Sequence, residues 1–408
     1  MTEKFAARKV LILSASAGAG HVRAAEALLE QCRLHPLVGE VQHWDMLHYT
    51  TAIFRHLYSQ VYLDLINKAP KMLGWIYDKT DTPWKNEKLR LAFEKFNAGP
   101  FLRAATAFKP DVIICTHFTP AVLVAWLYEK GKLPVKPAIV VTDFDCHAMW
   151  LARSYLHYFV ALEETRQHLM ALGIAPDAVS VSGIPVMASF ARPLERGAAR
   201  QGLSLDPRLF TVLVSAGGFG VGPVELLIGQ LLSIKVSVQI VVIAGRSEAL
   251  KSKLDRMVRD IGHAGPVRLH AVGFTNRMDE YMAAADILLG KPGGLTTSEA
   301  MARHLPMCIV NPIPGQEERN SDHLLELGMA IRCNNLPALG WKLESLMGNP
   351  AKLQAMQRAT DYLYRPNAAE DIVRKLLDAP PVAGPEEAGP RRLRQGVGGR
   401  KARKALLS

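Results

Sequence analysis

Cysteine is scarce in this chain, five in 408 residues (Cys32, Cys115, Cys146, Cys308 and Cys333). The number is odd and no two stand in Cys-x-x-Cys spacing. That argues against a disulfide framework or a zinc site and fits reduced thiols in the cytosol. Several fall in apolar runs, where cysteine behaves as a small hydrophobe. Long hydrophobic runs are also missing. The longest, Pro120–Tyr128, is half of the roughly 18–20 residues a membrane span requires. The opening MTEKFAARKV lacks the apolar stretch of a secretory signal, so a cytoplasmic chain is expected. The Gly-x-x-x-x-Gly-Lys-Ser/Thr pattern is absent, which argues against a P-loop ATPase.

Positive charge is in excess, with a net value of +11. Its placement matters more than its sum. The last eighteen residues hold seven Lys/Arg and no acid, which leaves +4 for the rest. Residues 379–408, rich in Pro and Gly before the basic run, read as a disordered basic tail. Such a tail is either simply solvated or meets anionic lipid. No aromatic residues interleave with its charges, so no specific nucleic-acid partner is expected.

Hydrophobic residues make up 49% of the chain, enough for two domains with sizeable cores. Short apolar runs alternate with longer helical stretches, which predicts an α/β fold. Strands are expected at Val10–Leu13, Val112–Cys115, Ala138–Thr142, Tyr158–Val160 and Val179–Val181. A second set is expected at Thr211–Ser215, Gln239–Ala244, Val267–His270, Ile287–Leu289 and Met307–Val310. Gly183–Pro207 lacks sustained periodicity and is rich in Pro, Gly and Arg. The reading is therefore an N-terminal Rossmann-like domain at 1–186 with a helical insertion at 46–108, and a connection at 187–208. A second domain follows at 209–378, its terminal helix packing back. Apolar parallel strands need helices on both sides. Two such sheets facing each other form a cleft at the carboxyl ends of their strands.

The insertion carries Tyr49, Phe54, Tyr58, Tyr62, Trp75, Tyr77 and Trp84. Ile53, Leu57, Val61 and Leu65 recur every fourth residue, the mark of an amphipathic helix. It is either a helical hairpin on its own domain or a surface that dips into a bilayer or holds an apolar acceptor. Lys68, Lys71, Lys79 and Lys85 would aid the second role.

Several loops carry chemistry. KVLILS reads as a buried strand and HVRAAEALLEQ as a helix. Between them, ASAGAG allows close approach of a ligand or backbone. His21 then sits near a helix N-terminus, where it could serve as a base toward a hydroxyl or simply as a cap-region residue. TVLVSAGGFGVGPVELL places Gly217, Gly218, Gly220 and Gly222 between a strand and a helix, a turn whose N–H groups suit a diphosphate. Arg246 ends a later strand and suits a phosphate. LLGKPGGLTTSEA runs through Gly293 and Gly294 into a helix expected to be capped by Thr296. Glu299 stands at capping-box spacing from it, or accepts ribose hydroxyls. Gln316, Glu317 and Asn320 lie on a loop into a helix, with the amides and carboxylate that suit sugar hydroxyls.

Together SASAGAGHVRAAEAL, VTDFDCHAMW, GGFGVGP, AGRSE, VGFTNRM, GKPGGLTTSEA and PGQEERN resemble the monogalactosyldiacylglycerol synthase and processive diacylglycerol glucosyltransferase family. These GT-B enzymes are also related to the N-acetylglucosaminyltransferase of peptidoglycan lipid assembly. The resemblance spans Lys9–Gly328 and touches both predicted domains. It implies inverting transfer of a hexose from a UDP-sugar to diacylglycerol or a related lipid, with no metal and no other cofactor. It implies His21 as general base, Asp143 orienting or replacing it, and Gly20, His147 and Trp150 on the acceptor side. On the donor side it implies Gly218, Phe219, Gly220, Arg246, Lys291, Gly293, Gly294 and Thr296 around the phosphates. Phe274 would lie against uracil, Glu299 on the ribose, and Gln316, Glu317 and Asn320 on the sugar. It also implies docking of the insertion on an anionic membrane surface, peripheral on the inner face of the cell membrane. A 2-epimerase of UDP-N-acetylglucosamine, a peptidoglycan-type transferase and a non-catalytic lipid or nucleotide-sugar binding protein are the alternatives.

Overall fold

Arg8–Ser14 (β1) is buried at every position from Val10 onward, and a strand wet on neither face needs cover on both. That requirement organises the whole chain. After β1 come α1 (Ala19–Leu34), β2 (Val38–Asp45), α2 (Pro70–Thr80), α3 (Ala98–Phe108), β3 (Val112–Cys115) and α4 (Phe118–Glu129). β4 (Pro137–Val140), β5 (His157–Val160), α5 (Glu163–Ala171) and β6 (Val179–Val181) complete the first half. The second half runs α6 (Arg196–Gly202), β7 (Phe210–Ser215), α7 (Val224–Leu231), β8 (Val238–Ile243), α8 (Glu248–Ile261), β9 (Val267–Val272) and α9 (Met278–Ala284). It continues with β10 (Ile287–Gly290), α10 (Gly294–Met301), β11 (Met307–Val310), α11 (Gln316–Glu326) and β12 (Ala330–Cys333). It ends with α12 (Leu339–Met347), α13 (Pro350–Ala359) and α14 (Ala368–Leu377). The computed structural model describes residues 7–16, 18–50, 70–83, 98–215, 224–262 and 265–378.

The strands form two parallel sheets, ordered β2-β1-β3-β4-β5-β6 and β12-β11-β10-β7-β8-β9. Each order reverses once, between β1 and β3 and between β7 and β10. At those seams Leu13 pairs with Cys115 and Leu289 with Val214. Loops leaving the sheet on either side of a reversal part in opposite directions and open a crevice at the strand carboxyl ends. The loop leading into α1, whose first turn carries His21, leaves one seam, and Lys291–Gly293 leads from the other into α10.

β2 and β12 are absent from the expected strands, and both lie at sheet edges. An edge strand keeps a wet side. β2 accordingly carries Glu40, Gln42, His43 and Asp45 and is only partly buried, with no continuous apolar run to betray it. Several expected strands also change length: β9 extends to Val272, and β4 stops at Val140 rather than Thr142.

The 187–208 stretch was expected to be aperiodic, yet it forms a turn of 3₁₀ helix at Ala188–Ala191 and then α6. A seven-residue helix is too short to show a period. Its anchor is polar: Arg200 Nη2 lies 2.6 Å from Asp286 Oδ2, and Arg196 Nη1 lies 2.7 Å from the other oxygen. α14 returns to the first half, where Ile372, Val373 and Leu376 pack with Val10, Ile12 and Leu28.

Of the insertion, α3 is an ordinary crossover helix whose Phe101 and Ala105 are fully buried. Tyr49 packs on Trp44 at 5.0 Å and on Phe101 at 6.1 Å, so it belongs to this core and not to an outer surface. On α2, Met72 and Trp75 are exposed, with Lys79 over the Trp75 ring at 5.8 Å. The helix expected at Ile53–Leu65, with Phe54, Tyr58, Tyr62, Lys68, Trp84 and Lys85, lies outside the described residues, as do residues 379–408. Among the described residues, no helix is long and apolar enough to cross a membrane.

Candidate active site

His21 stands in the first turn of α1, beside the β1/β3 seam. Its Nδ1 lies 3.0 Å from the Thr116 carbonyl and 2.7 Å from the Thr142 hydroxyl. A carbonyl can only accept, so Nδ1 carries the hydrogen and Nε2 the lone pair. Thr116 also donates its hydroxyl to the His21 carbonyl at 2.9 Å, fixing backbone and ring together. Burial pushes the imidazole down to about 4, although the Thr116 bond works the other way. The ring is therefore neutral at ordinary pH. His117 stands edge-on to it, with centroids 4.6 Å apart. The His117 Nδ1 accepts from Thr119 N at 3.1 Å as the cap of α4, and burial holds that ring well below the usual histidine range. Asp45 accepts from Ser16 N at 3.2 Å and Leu47 N at 3.0 Å, which pins the start of the His21 loop to the end of β2.

Asp143 does not orient the imidazole in this arrangement; Thr116 and Thr142 do. The Asp143 carboxylate instead crosses the cleft and accepts from Gln316 Nε2. Burial raises it to about 6, opposed by its bonds to Gln316 and Asn320 and reinforced by Glu317 and Asp145. Asn320, fully buried, accepts from Phe144 N at 3.1 Å and donates to the Pro292 carbonyl at 3.0 Å. Gln316 and Asn320 thus hold the two halves together here, with their polar groups engaged by protein.

His147 and Trp150, expected to line the acceptor side, are both buried. His147 Nδ1 accepts from Met149 N, and Nε2 donates to the Tyr77 carbonyl at 3.0 Å. Trp150 packs behind the two histidines at 6.4 Å from each. The short 3₁₀ turn Ala148–Trp150 folds the indole inward, and Tyr158 donates its hydroxyl to the Trp150 carbonyl.

Across the cleft, α10 begins at the β7/β10 seam. Its cap is Gly293, without a side-chain bond, so Thr296 lies inside the helix and the expected capping box with Glu299 does not form. The first-turn N–H groups have no intrahelical acceptor and face outward as a positive end. Gly293 approaches Glu317 Oε1, and Lys291 acts on that same carboxylate, which burial raises above its usual range. Glu299 is buried between α10 and α1, pushed up to about 7 by burial, with Arg23 of α1 opposing. Gly20 meets Leu295 across the same contact. Arg246 lies over the exposed Phe274 ring at 5.0 Å, near the carboxyl end of β8. Gly218, Phe219 and Gly220 lie outside the described residues.

Reading loops alone missed Thr116, Thr142, Asp45 and Arg319. Thr116 follows β3 directly at the seam, and Thr142 precedes Asp143 in a quoted motif. Both were reachable by asking which residues leave the strand ends beside His21.

Two parallel Rossmann-like halves, each opening a crevice at its seam and facing the other, define the GT-B class of nucleotide-sugar enzymes. Residues 21–186 match the family described as monogalactosyldiacylglycerol (MGDG) synthase, and residues 224–373 the glycosyltransferase family 28 C-terminal domain. The first half thus matches the monogalactosyldiacylglycerol synthase model and the second the family 28 C-terminal model, and the chain is similar along most of its length to processive diacylglycerol glucosyltransferases. It is 29% identical over 377 residues to the processive diacylglycerol beta-glucosyltransferase of Staphylococcus aureus strain Newman, covering 91% of this chain and 93% of that one. The Bacillus licheniformis protein of the same name is 28% identical over 371 residues, with 91% and 95% covered. Among solved structures, MurG of Acinetobacter baumannii aligns over 91% of this chain and 99% of its own, with a TM-score of 0.57 and 17% identity. The UDP-GlcNAc 2-epimerase of Neisseria meningitidis aligns over 91% and 100%, at 0.55 and 15%. At those identities the likeness concerns the fold alone.

Proposed function

We propose that the chain is an inverting hexosyltransferase that moves a hexose from UDP-glucose or UDP-galactose to the hydroxyl of diacylglycerol or a related glycolipid. The single observation that carries the mechanism is a neutral imidazole whose Nδ1–H is spent on a carbonyl, next to the start of α10 across the cleft. The names of the matched family and of the curated relatives support the acceptor class and a transferred hexose.

In this reading the acceptor oxygen attacks the anomeric carbon from the side opposite UDP. The bond from that carbon to the diphosphate breaks, and the hydroxyl proton passes to His21 Nε2. The hydroxyl loses its proton only as the new bond forms, so a weakly basic imidazole suffices; such a base contributes on the order of 10²–10⁴ in rate. Charge on the departing diphosphate meets the α10 N-terminus, Lys291, Arg246 and the glycine-rich stretch of Gly218, Phe219 and Gly220, with no bound metal. Phe274 takes the uracil, Glu299 the ribose, and Glu317 the sugar, joined by Gln316 once it leaves Asp143 and by Asn320 once it leaves Phe144 and Pro292. Gly20, His147 and Trp150 shape the acceptor side from behind. Met72, Trp75, Lys71 and Lys79 on the outer face of α2 suit an anionic membrane surface, which fits peripheral action on the inner face of the cell membrane.

Incubation with radiolabelled UDP-glucose or UDP-galactose and diacylglycerol vesicles, with and without a chelator, tests this. Label should enter the organic phase at equal rates in both. Label that stays aqueous with every lipid acceptor overturns the reading, and chelator sensitivity overturns its metal-free part.

A further inference from the structure

Arg319 lies on the first turn of α11, between Gln316 and Asn320, and three carboxylates of the other half surround it. Its Nη1 is 2.7 Å from Asp81 Oδ2 and 3.0 Å from Asp145 Oδ2, and its Nη2 is 3.9 Å from Asp78 Oδ1. The guanidinium lies over the Tyr77 ring at 5.1 Å. Asp78 and Tyr77 belong to α2, Asp81 follows that helix directly, and Asp145 belongs to the loop after β4.

The shape of the contact is as specific as its charge. Gly315 has φ of 90°, and a methyl group there would run into the Tyr77 ring. A methyl on Gly74 would meet Pro314 in the same way. The far side of α2 is held by the loop after β4: His147 Nε2 donates to the Tyr77 carbonyl, and Asp81 Oδ1 accepts from Ala148 N at 2.8 Å. α2 is thereby clamped between that loop and the N-terminus of α11. One terminal nitrogen, Nη1, carries two N–H groups and meets both short-range carboxylates, while the permanently charged plane lies over Tyr77, a stacking that an ammonium does not reproduce. Without it, Asp81 and Asp145 would face each other across a half-buried gap, repelling.

We infer that Arg319 is a positioning residue that ties the sugar-recognition turn of α11 to α2, so that a docked α2 acts together with the Asp143–Gln316 and Phe144–Asn320 bonds to hold the donor side in register. Trp75 and Met72 point away from this contact, so an event on the outer face of α2 is transmitted to Gln316 and Glu317 through Arg319. This rests on the proposed transferase reading for its kinetic consequence, but not for its structural one.

The test uses the full chain as Arg319→Met, Arg319→Lys, Asp81→Asn and the Arg319→Met/Asp81→Asn double variant. Hydrogen exchange is followed without substrate in 70–81 and 316–326, and KM for the UDP-hexose is measured against kcat. Arg319→Met should speed exchange in both segments about tenfold and raise KM about tenfold with a smaller change in kcat, the scale of coupling between contacting residues. Arg319→Lys should recover part of both, and the double variant should be no worse than Arg319→Met. Faster exchange confined to 316–326, or losses that add in the double variant, overturns the inference. A wild-type chain that transfers no hexose overturns the transferase reading instead, and the exchange result still decides this one.

Discussion

Gly294 lies against the Thr142 carbonyl so closely that a methyl group in place of its α-hydrogen would overlap that oxygen. The hydroxyl of the same threonine is 2.7 Å from His21 Nδ1. One residue therefore touches both the His21 imidazole and the start of α10. Closure of the cleft is registered against backbone, which cannot move aside as a flexible side chain can. Gly294→Ala should hold the halves apart. Because misplacement by about 1 Å can cost on the order of a hundredfold, kcat should fall by tenfold or more. UDP affinity should change less. Steady-state kinetics with small-angle scattering checks this; unchanged kcat would mean that catalysis proceeds from a more open arrangement.

The Thr142 hydroxyl should matter separately from its backbone. Thr142→Val keeps the shape and removes one partner of the imidazole, while the Thr116 carbonyl still selects the tautomer. A lost hydrogen bond of this kind is worth about 1 kcal/mol, so kcat should fall about fivefold, with donor KM unchanged. Thr142→Ser should restore most of it. A serine variant as slow as valine would point to packing by the methyl group instead.

Strands buried on both faces announced themselves in the sequence because a parallel sheet demands unbroken apolar runs. The Gly293–Gly294 step did so because backbone approaches backbone closely there. What stayed hidden depends on neighbours distant in the chain. β2 and β12 are edges with a wet side. α6 is anchored by the Arg200–Asp286 pair across 86 positions, not by a stripe. Asp143 looked like a partner of His21 because both sit in family motifs, yet adjacency along the strand end gives that place to Thr142. Gly293 caps α10 because the helix starts two residues before the Thr296 that mimics a cap. Arg319 drew no reading from the sequence, because the three acids around it come from the other half.

The pH behaviour of His21 follows from its burial. The folded ring resists protonation until about 4, whereas the unfolded one takes a proton near 6.5. Between those values the unfolded state binds more protons, so folding stability falls as pH drops through this window and is fully restored above it. The penalty is on the order of 3 kcal/mol. NMR of histidine-labelled protein, assigned with His21→Gln, should find the ring unprotonated at pH 5.5. Titration near 6.5 would overturn the buried, carbonyl-held arrangement. An activity step near 6 should belong to Asp143, which burial raises to that value, and should vanish in Asp143→Asn.

Glu299 carries the opposite sign. Its carboxyl is raised to about 7 by burial, with Asp279 adding and Arg23 opposing. Between the ordinary value of 4.5 and 7 the folded state binds the proton that the unfolded state has released. Stability is therefore highest below 4.5 and declines as pH rises through 7. Glu299→Gln removes that cost. The variant should be more stable than the parent by about 1–3 kcal/mol at pH 8 in urea denaturation, and equal to it near pH 4.5. If the carboxylate accepts ribose hydroxyls, calorimetry should find UDP bound about tenfold more weakly, since hydrogen bonds to a charged group are worth roughly 1.5–3 kcal/mol. A gain in stability with unchanged UDP affinity would leave Glu299 as a buried acid facing Arg23. A loss of both would mean that its burial is compensated by contacts beyond α1 and α10. Stability gained at the expense of donor affinity is what a residue kept for binding predicts, because a buried carboxylate is costly to ionise until a ligand supplies its partners.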